Sequence, residues 1–143
     1  MGLDSILPFT RDTEKGVFIL CRTSNPSAVD LQNQPIGDES LFDKVVQMAT
    51  TWNTNDNVGL VVGATAPEEI SRIRHQAPGL PFLIPGIGAQ GGDLKRSMYD
   101  GNVNGTAIIN VSRGISFAGD LSEKAIRNAA KDYLSQMREI QYS

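Results

Sequence analysis

The sequence predicts an α/β domain of four parallel strand–helix units preceded by one helix. Two observations carry that prediction. Four six-residue apolar runs, at 16–21, 58–63, 80–85 and 106–111, are rich in Val, Ile, Leu and Phe and lack strict alternation. Nearly continuous apolar runs of this length mark strands covered on both faces, as in a parallel sheet. Each run is followed by a stretch of helical period, and alternating β and α elements argue for parallel strands joined by crossovers. The 143 residues form a single domain, 1–143, long enough to hold a core without disulfides.

The elements follow in order. A leading helix is expected near 2–13, with its first turn set apart by Pro8, which removes a backbone donor. After the first strand, Ser24 to Asp38 is the longest loop, with two prolines and four amide side chains, well beyond the roughly 2–6 residues usual for a βα connection. Residues 39–53 place Leu41, Val45, Met48, Ala49 and Trp52 at spacings of three and four, one face of a helix. The next helix spans 66–76. Thr65 is its expected N-cap, Glu68 would complete a capping box, and Pro67 fits the first turn. Ile70, Ile73 and Arg74 share a face. A short helix is expected near 92–99. The strongest helical pattern is 122–138, with Ala125, Ile126, Ala129, Ala130, Tyr133, Leu134 and Met137 on one side.

Composition excludes several function classes. Thirteen basic side chains face sixteen acidic ones, for a net charge of −3, with no Lys/Arg cluster, so neither nucleic acid nor an anionic membrane is an expected partner. One cysteine, Cys21, and one histidine, His75, leave no disulfide framework and no Cys- or His-based metal cluster. No apolar run approaches the ~18 residues of a membrane span. The start, Met1-Gly2-Leu3-Asp4-Ser5-Ile6, lacks a basic secretory leader, and Ile6 stands where myristoylation wants Ser or Thr. A soluble, cytoplasmic protein is expected. Cys21 reads as an inert core residue, His75 as a helix-end or solvent-facing residue, Trp52 as packing, and Glu68-Glu69 as first-turn charge. Asp4 and Asp12 have no recognisable partner.

Three segments could carry chemistry. Ile84-Pro85-Gly86-Ile87-Gly88-Ala89-Gln90-Gly91-Gly92-Asp93 places four glycines between a strand and a helix. Such a loop lets backbone N–H groups approach an anion beside a helix start, or it is simply a tight turn. Arg113 lies just past the last strand, in Ile108-Ile109-Asn110-Val111-Ser112-Arg113-Gly114. A rim arginine beside a glycine loop suits bidentate phosphate binding, and (β/α)8 barrels bind phosphate with the loops after their last two strands. The alternative is a surface arginine paired with an acidic neighbour. Arg22-Thr23-Ser24-Asn25-Pro26-Ser27 ends the first strand. Its hydroxyls and amide either read a hydrogen-bonding edge or stabilise a turn.

The glycine-rich segment 83–93 resembles the phosphate loop of orotidine 5′-phosphate decarboxylases. The same family is matched by Gly2-Leu3-Asp4-Ser5-Ile6-Leu7-Pro8-Phe9, Arg22-Thr23-Ser24-Asn25-Pro26, Leu60-Val61-Val62-Gly63-Ala64-Thr65 and Asn110-Val111-Ser112-Arg113-Gly114, in order, across nearly the whole chain. The resemblance implies half of a (β/α)8 TIM barrel that converts orotidine 5′-monophosphate (OMP) to UMP and CO2 without metal or cofactor. It implies that Gln90 and Arg113 hold the 5′-phosphate with help from the backbone of Gly92. Ser24 would bond the pyrimidine edge, and Pro85 and Ile87 would line the apolar pocket beside the base. Asn25 departs from the family's usual residue. So does the absence of the family's Asp-x-Lys-x-x-Asp motif, whose nearest echo is Asp93-Leu94-Lys95-Arg96-Ser97-Met98.

The chain therefore resembles the carboxyl-terminal half of the enzyme, with binding residues and without those of the chemical step, so no catalytic residue is expected in it. Three functions remain open: part of a decarboxylase completed by another half, a non-catalytic phosphate- or nucleotide-binding half-barrel, and an inactive fragment. Two bare sheet edges would favour self-association or docking of a complementary amino-terminal half-barrel.

Overall fold

The computed structural model describes residues 2–141; Met1, where the reading of the leader begins, lies outside them. The chain opens with α1 (Leu3–Thr10) and β1 (Val17–Arg22). A 3₁₀ turn (Pro26–Asp30) and the short hairpin β2 (Pro35–Ile36) and β3 (Glu39–Ser40) come next. Then come α2 (Leu41–Trp52), β4 (Val58–Val62), α3 (Pro67–Gln76), β5 (Phe82–Pro85) and α4 (Leu94–Asn102). The chain continues through β6 (Ala107–Asn110) and α5 (Arg113–Ser116) to α6 (Glu123–Gln141). The main sheet has the sequential order β1-β4-β5-β6, and all neighbours are parallel. The four expected βα units are therefore present, each strand within one or two residues of its apolar run.

Register explains the two faces of this sheet. Ile19 pairs with Leu60, Leu60 with Phe82 and Phe82 with Ala107, so these residues share a face. With Cys21, Val62 and Ile84 they meet Phe42, Val46 and Ala49 of α2 and Ile70 and Ile73 of α3 in one continuous core. Each large apolar side chain fully buried there stabilises by about 1.5–3 kcal/mol. The opposite face carries Phe18, Leu20, Val61, Leu83 and Ile108. No helix among the described residues covers it, and Phe18, Leu20 and Ile108 on the edge strands are 39%, 49% and 48% exposed. The expectation of strands buried on both faces thus fails on this face: Val61 of β4 and Leu83 of β5 are half-buried between their neighbours, and β1 and β6 lack a neighbour on one edge as well.

Several local expectations change. α1 runs unbroken through Pro8, because the helix ends two residues later and only one late hydrogen bond is forfeited. Its end is pinned to the start of β4: the Asn55 and Asn57 side chains donate to the Thr10 carbonyl at 2.8 and 3.0 Å. Asp12 does have a partner, Lys15 at 2.9 Å. The long 24–38 loop is half ordered by its 3₁₀ turn and hairpin. α2 is closed by a capping box between Ser40 and Asp43, whereas α3 has none. Its N-cap is Ala66, and the Thr65 hydroxyl turns away to the Ser24 carbonyl at 3.0 Å. In α6 no side chain is fully buried, and Leu134 is 46% exposed. Ile126, Ala129, Tyr133 and Met137 are half-buried. The helix touches mainly α4 and α5, so its covered stripe is narrower than its apolar pattern.

Candidate functional site

The site is built at the carboxyl ends of the strands. β1 ends at Arg22, whose guanidinium pairs with Glu69 of α3 at 2.5 Å, so Glu69 is more than first-turn charge. The next residue, Thr23, donates its N–H and hydroxyl to the Gln32 side-chain oxygen at 2.8 and 3.0 Å. Gly63, after β4, lies against the Ser24 backbone so closely that a methyl group there would sit 2.5 Å from the Ser24 nitrogen. These contacts fix Ser24. Asn25 turns instead to the Ser27 hydroxyl, 2.6 Å away.

β5 ends at Pro85, and the chain reverses at Gly86, where φ is +106°. Only glycine adopts that conformation without strain. A Cβ there would also lie 2.8 Å from Ser24 Cβ and 2.9 Å from Gln90 Oε1. The loop closes on itself: Gly92 N–H donates to the Gly86 carbonyl at 3.1 Å and Gly91 N–H to Gly88 at 2.8 Å. The start of α4 is capped by the Asp93 carboxylate, which accepts from Arg96 N–H at 3.0 Å. This helix end is therefore already occupied by a negative charge, contrary to the expectation of an open anion site there. What the loop does present is the Gln90 side chain. Its Oε1 accepts from the Ser24 hydroxyl at 2.6 Å, and among the described residues its amide N–H groups have no partner.

β6 supplies the other wall. Asn110 pairs in register with Pro85 and so stands on the same uncovered sheet face. Past it, Ser112 and Arg113 begin α5. Among the described residues Arg113 has no carboxylate partner, which removes the alternative of a surface ion pair. A cleft of about 250 Å³ brings together Ser24, Pro85, Ile87, Gln90 and Arg113, with Gly86, Ala89, Asn110 and Ser112 completing its wall. Five of the six expected site residues thus share one cavity. Gly92 does not line it, and its N–H is engaged inside the loop. Sequence reasoning did not single out Asn110, Ser112 or Ala89 as lining. The signal for Asn110 was available, because alternation along β6 puts it on the face of Ile108.

The cleft's chemistry is that of binding. It offers a guanidinium, an amide and hydroxyls as donors, beside the apolar Pro85 and Ile87. No carboxylate, lysine or histidine lines it. Among the described residues no group of three or more His, Cys, Asp or Glu could hold a metal ion, and no helix is long and apolar enough to cross a membrane. Cys21 lies on β1 with its side chain in the core, its thiol pushed up to about 12 by burial and by the nearby charges of Asp43 and Glu69. His75 lies far along α3, exposed, with Nδ1 2.7 Å from the Ser71 carbonyl.

Consecutive parallel βα units with a cleft over the carboxyl ends of the strands define the (β/α)8 barrel class, and four such units, half a barrel, are present here. The sequence pattern of the orotidine 5′-phosphate decarboxylase / HUMPS family matches residues 1–127, and the chain belongs to that family. It is 49% identical to the orotidine 5′-phosphate decarboxylase of Halorubrum lacusprofundi over 131 residues, which are 87% of this chain and 48% of that one. Among solved structures, Leishmania donovani UMP synthase superimposes with a TM-score of 0.89 at 46% identity, covering 100% of this chain and 32% of the other. Leishmania donovani OMP decarboxylase gives 0.85 at 43% identity, covering 100% and 54%. The chain thus spans about half the length of the curated relatives it matches.

Proposed function

We propose that this chain provides the phosphate- and pyrimidine-binding half of an orotidine 5′-phosphate decarboxylase, acting in pyrimidine biosynthesis in the cytoplasm. The observation that supports this reading best is the shared cleft of Arg113 and Gln90, which combines an amide with a guanidinium that has no carboxylate partner among the described residues. Arg113 and the Gln90 amide grip the 5′-phosphate of OMP or UMP. Ser24, one hydrogen bond from Gln90, reads the pyrimidine edge, and Pro85 and Ile87 pack on the base. Gly92 contributes by closing the loop.

The reaction breaks the bond between C6 and the carboxylate. CO2 leaves, the electron pair stays on C6, and a proton must then arrive there. A general acid with a reachable proton is needed, and this cleft contains none. Phosphate contacts remote from C6 supply binding energy that a complete site directs to the transition state. The complementary half-barrel would add the lysine and carboxylates, and no cofactor is required. Its docking, or self-association in its absence, would cover the bare edges of β1 and β6 and the apolar face of Phe18, Leu20 and Ile108. Decarboxylation assayed for the chain alone and with a complementary half added tests this. Activity only in the mixture is expected, and turnover by the chain alone contradicts it. Sedimentation at micromolar concentration is expected to show self-association; a compact monomer is the contrary result.

A further inference from the structure

Two glycines at the site are held by one distant side chain. Tyr133 lies on α6, on the half-buried stripe with Ile126, Ala129 and Met137, and packs against the edge of the core. A methyl group on Gly88, in the loop after β5, would lie 2.6 Å from the Tyr133 hydroxyl oxygen. A methyl group on Gly114, next to Arg113, would lie 2.6 Å from the same oxygen and 3.2 Å from Cε2 and Cζ of the ring. The phenol tip is thus wedged where the glycine loop and the arginine-bearing turn meet. Gly114 does not have a positive φ, so backbone conformation does not demand glycine there; the crowding comes from the Tyr133 ring, which would have to shift to admit a methyl group. Among the described residues the Tyr133 hydroxyl has no hydrogen-bond partner, so the contact is one of shape. Tyr133 lies outside the cleft lining.

We infer that Tyr133 is a positioning residue that sets the spacing between the glycine loop and Arg113, and thereby the width of the phosphate cleft. This rests on the reading of that cleft as a phosphate-monoester site. α5 is only four residues long and makes no covalent or hydrogen-bonded brace of its own against the glycine loop. The ring of α6 supplies that brace. Shortening the side chain lets the two walls drift, and a misplacement near 1 Å is enough to cost an order of magnitude or more in a preorganised site.

The test is UMP titration by calorimetry on the whole chain, with folding checked by circular dichroism. Tyr133→Ala is expected to weaken UMP binding about tenfold, and Tyr133→Phe, which keeps the ring against Gly114 but loses the tip that reaches Gly88, to restore part of it. Gly114→Ala approaches the contact from the other side. Its methyl displaces the ring, so it weakens UMP binding in the unaltered chain. With Tyr133→Ala it has room, and the two losses are less than additive. A general loosening of the fold would leave Phe no better than Ala and make the Gly114→Ala loss the same in both backgrounds; either result overturns the inference. Arg113→Ala separates the two readings. Should it leave UMP affinity unchanged, or should the unaltered chain not bind UMP, the phosphate reading fails and the inference with it. Should it abolish binding while Tyr133→Ala stays within about twofold of the unaltered chain, only the inference fails.

Discussion

Replacing Arg74 by Met is expected to cost more stability than any surface change in this chain. Arg74 is 2% exposed and has no carboxylate partner among the described residues. Its guanidinium donates to the carbonyls of Gly101 at 2.6 and 3.1 Å, Leu80 at 2.7 Å, and Ala77 and Thr106 at 3.3 Å. It also stacks on Phe82, 3.6 Å from the ring centroid. Burial pulls its pKa down to about 10, so it stays charged at neutral pH while bridging the α3–β5 and α4–β6 connections. Hydrogen bonds from a charged donor are worth about 1.5–3 kcal/mol each. Taking the two short ones at the lower figure, with about 1–2 kcal/mol for the desolvated stacking, gives about 4–5 kcal/mol. Methionine retains the stem's volume, so the loss is chiefly that of the donors. Urea denaturation should show a lower midpoint at an unchanged slope. These carbonyls lie at the end of the sheet opposite the cleft, so UMP affinity at low denaturant should be retained. A stability loss under about 1 kcal/mol would contradict this, because the buried carbonyls of Ala77, Leu80 and Gly101 would then have found other partners.

Three further outcomes follow from named groups. Burial raises the pKa of Asp43, but hydrogen bonds from Ser40 and Gln76 and the charge of Arg72 outweigh it and hold the carboxyl below its usual 3.8. Its folded-state pKa is depressed, so its contribution is complete above 3.8 and is lost as pH falls through the folded value. Urea midpoints measured from neutral to strongly acidic pH should decline less in Asp43→Asn than in the unaltered chain. Cys21 shifts the other way. Its thiol, raised from 9.0 to about 12, should resist alkylation until the chain unfolds, and the stability linked to it should fall as pH rises above 9.0; rapid labelling of the folded chain would contradict its burial. Gly86→Ala forces a positive φ on an L-residue and drives a methyl against Ser24 and Gln90. It should lower stability by about 1–3 kcal/mol and weaken UMP binding, and a neutral result in calorimetry would show that the loop is not held as described.

The order of elements was legible because strands of a parallel sheet announce themselves as unbroken apolar runs, and the helices between them keep a clear period. The site was legible in part for the same reason: Ser24, the glycine loop and Arg113 each follow a strand, and sequential parallel pairing carries them to one end of the sheet. What remained hidden depends on contacts remote in sequence. Nothing near Arg74 reveals that four carbonyls up to 32 residues away would satisfy its charge. Thr65 has the chemistry of a cap, but its hydroxyl donates to the Ser24 carbonyl and does not accept from the start of α3. The α6 pattern marks Tyr133 as a packing residue without showing that it reaches Gly88 and Gly114. The exposure of Phe18, Leu20 and Ile108 is not legible in the sequence, because the apolar composition of β1 and β6 matches a complete barrel, of which four units are present.

The proposed grip of Arg113 and the glycine loop on a phosphate monoester is open to direct measurement. Calorimetric titration of the chain and of Arg113→Ala with UMP, and of both with uridine, tests it most directly. UMP affinity should fall by about 30- to 150-fold in the variant, as expected for about 2–3 kcal/mol of charge-assisted hydrogen bonding, while any uridine affinity stays the same. Equal UMP affinity in the two proteins, or UMP binding no tighter than uridine in the unaltered chain, would contradict it.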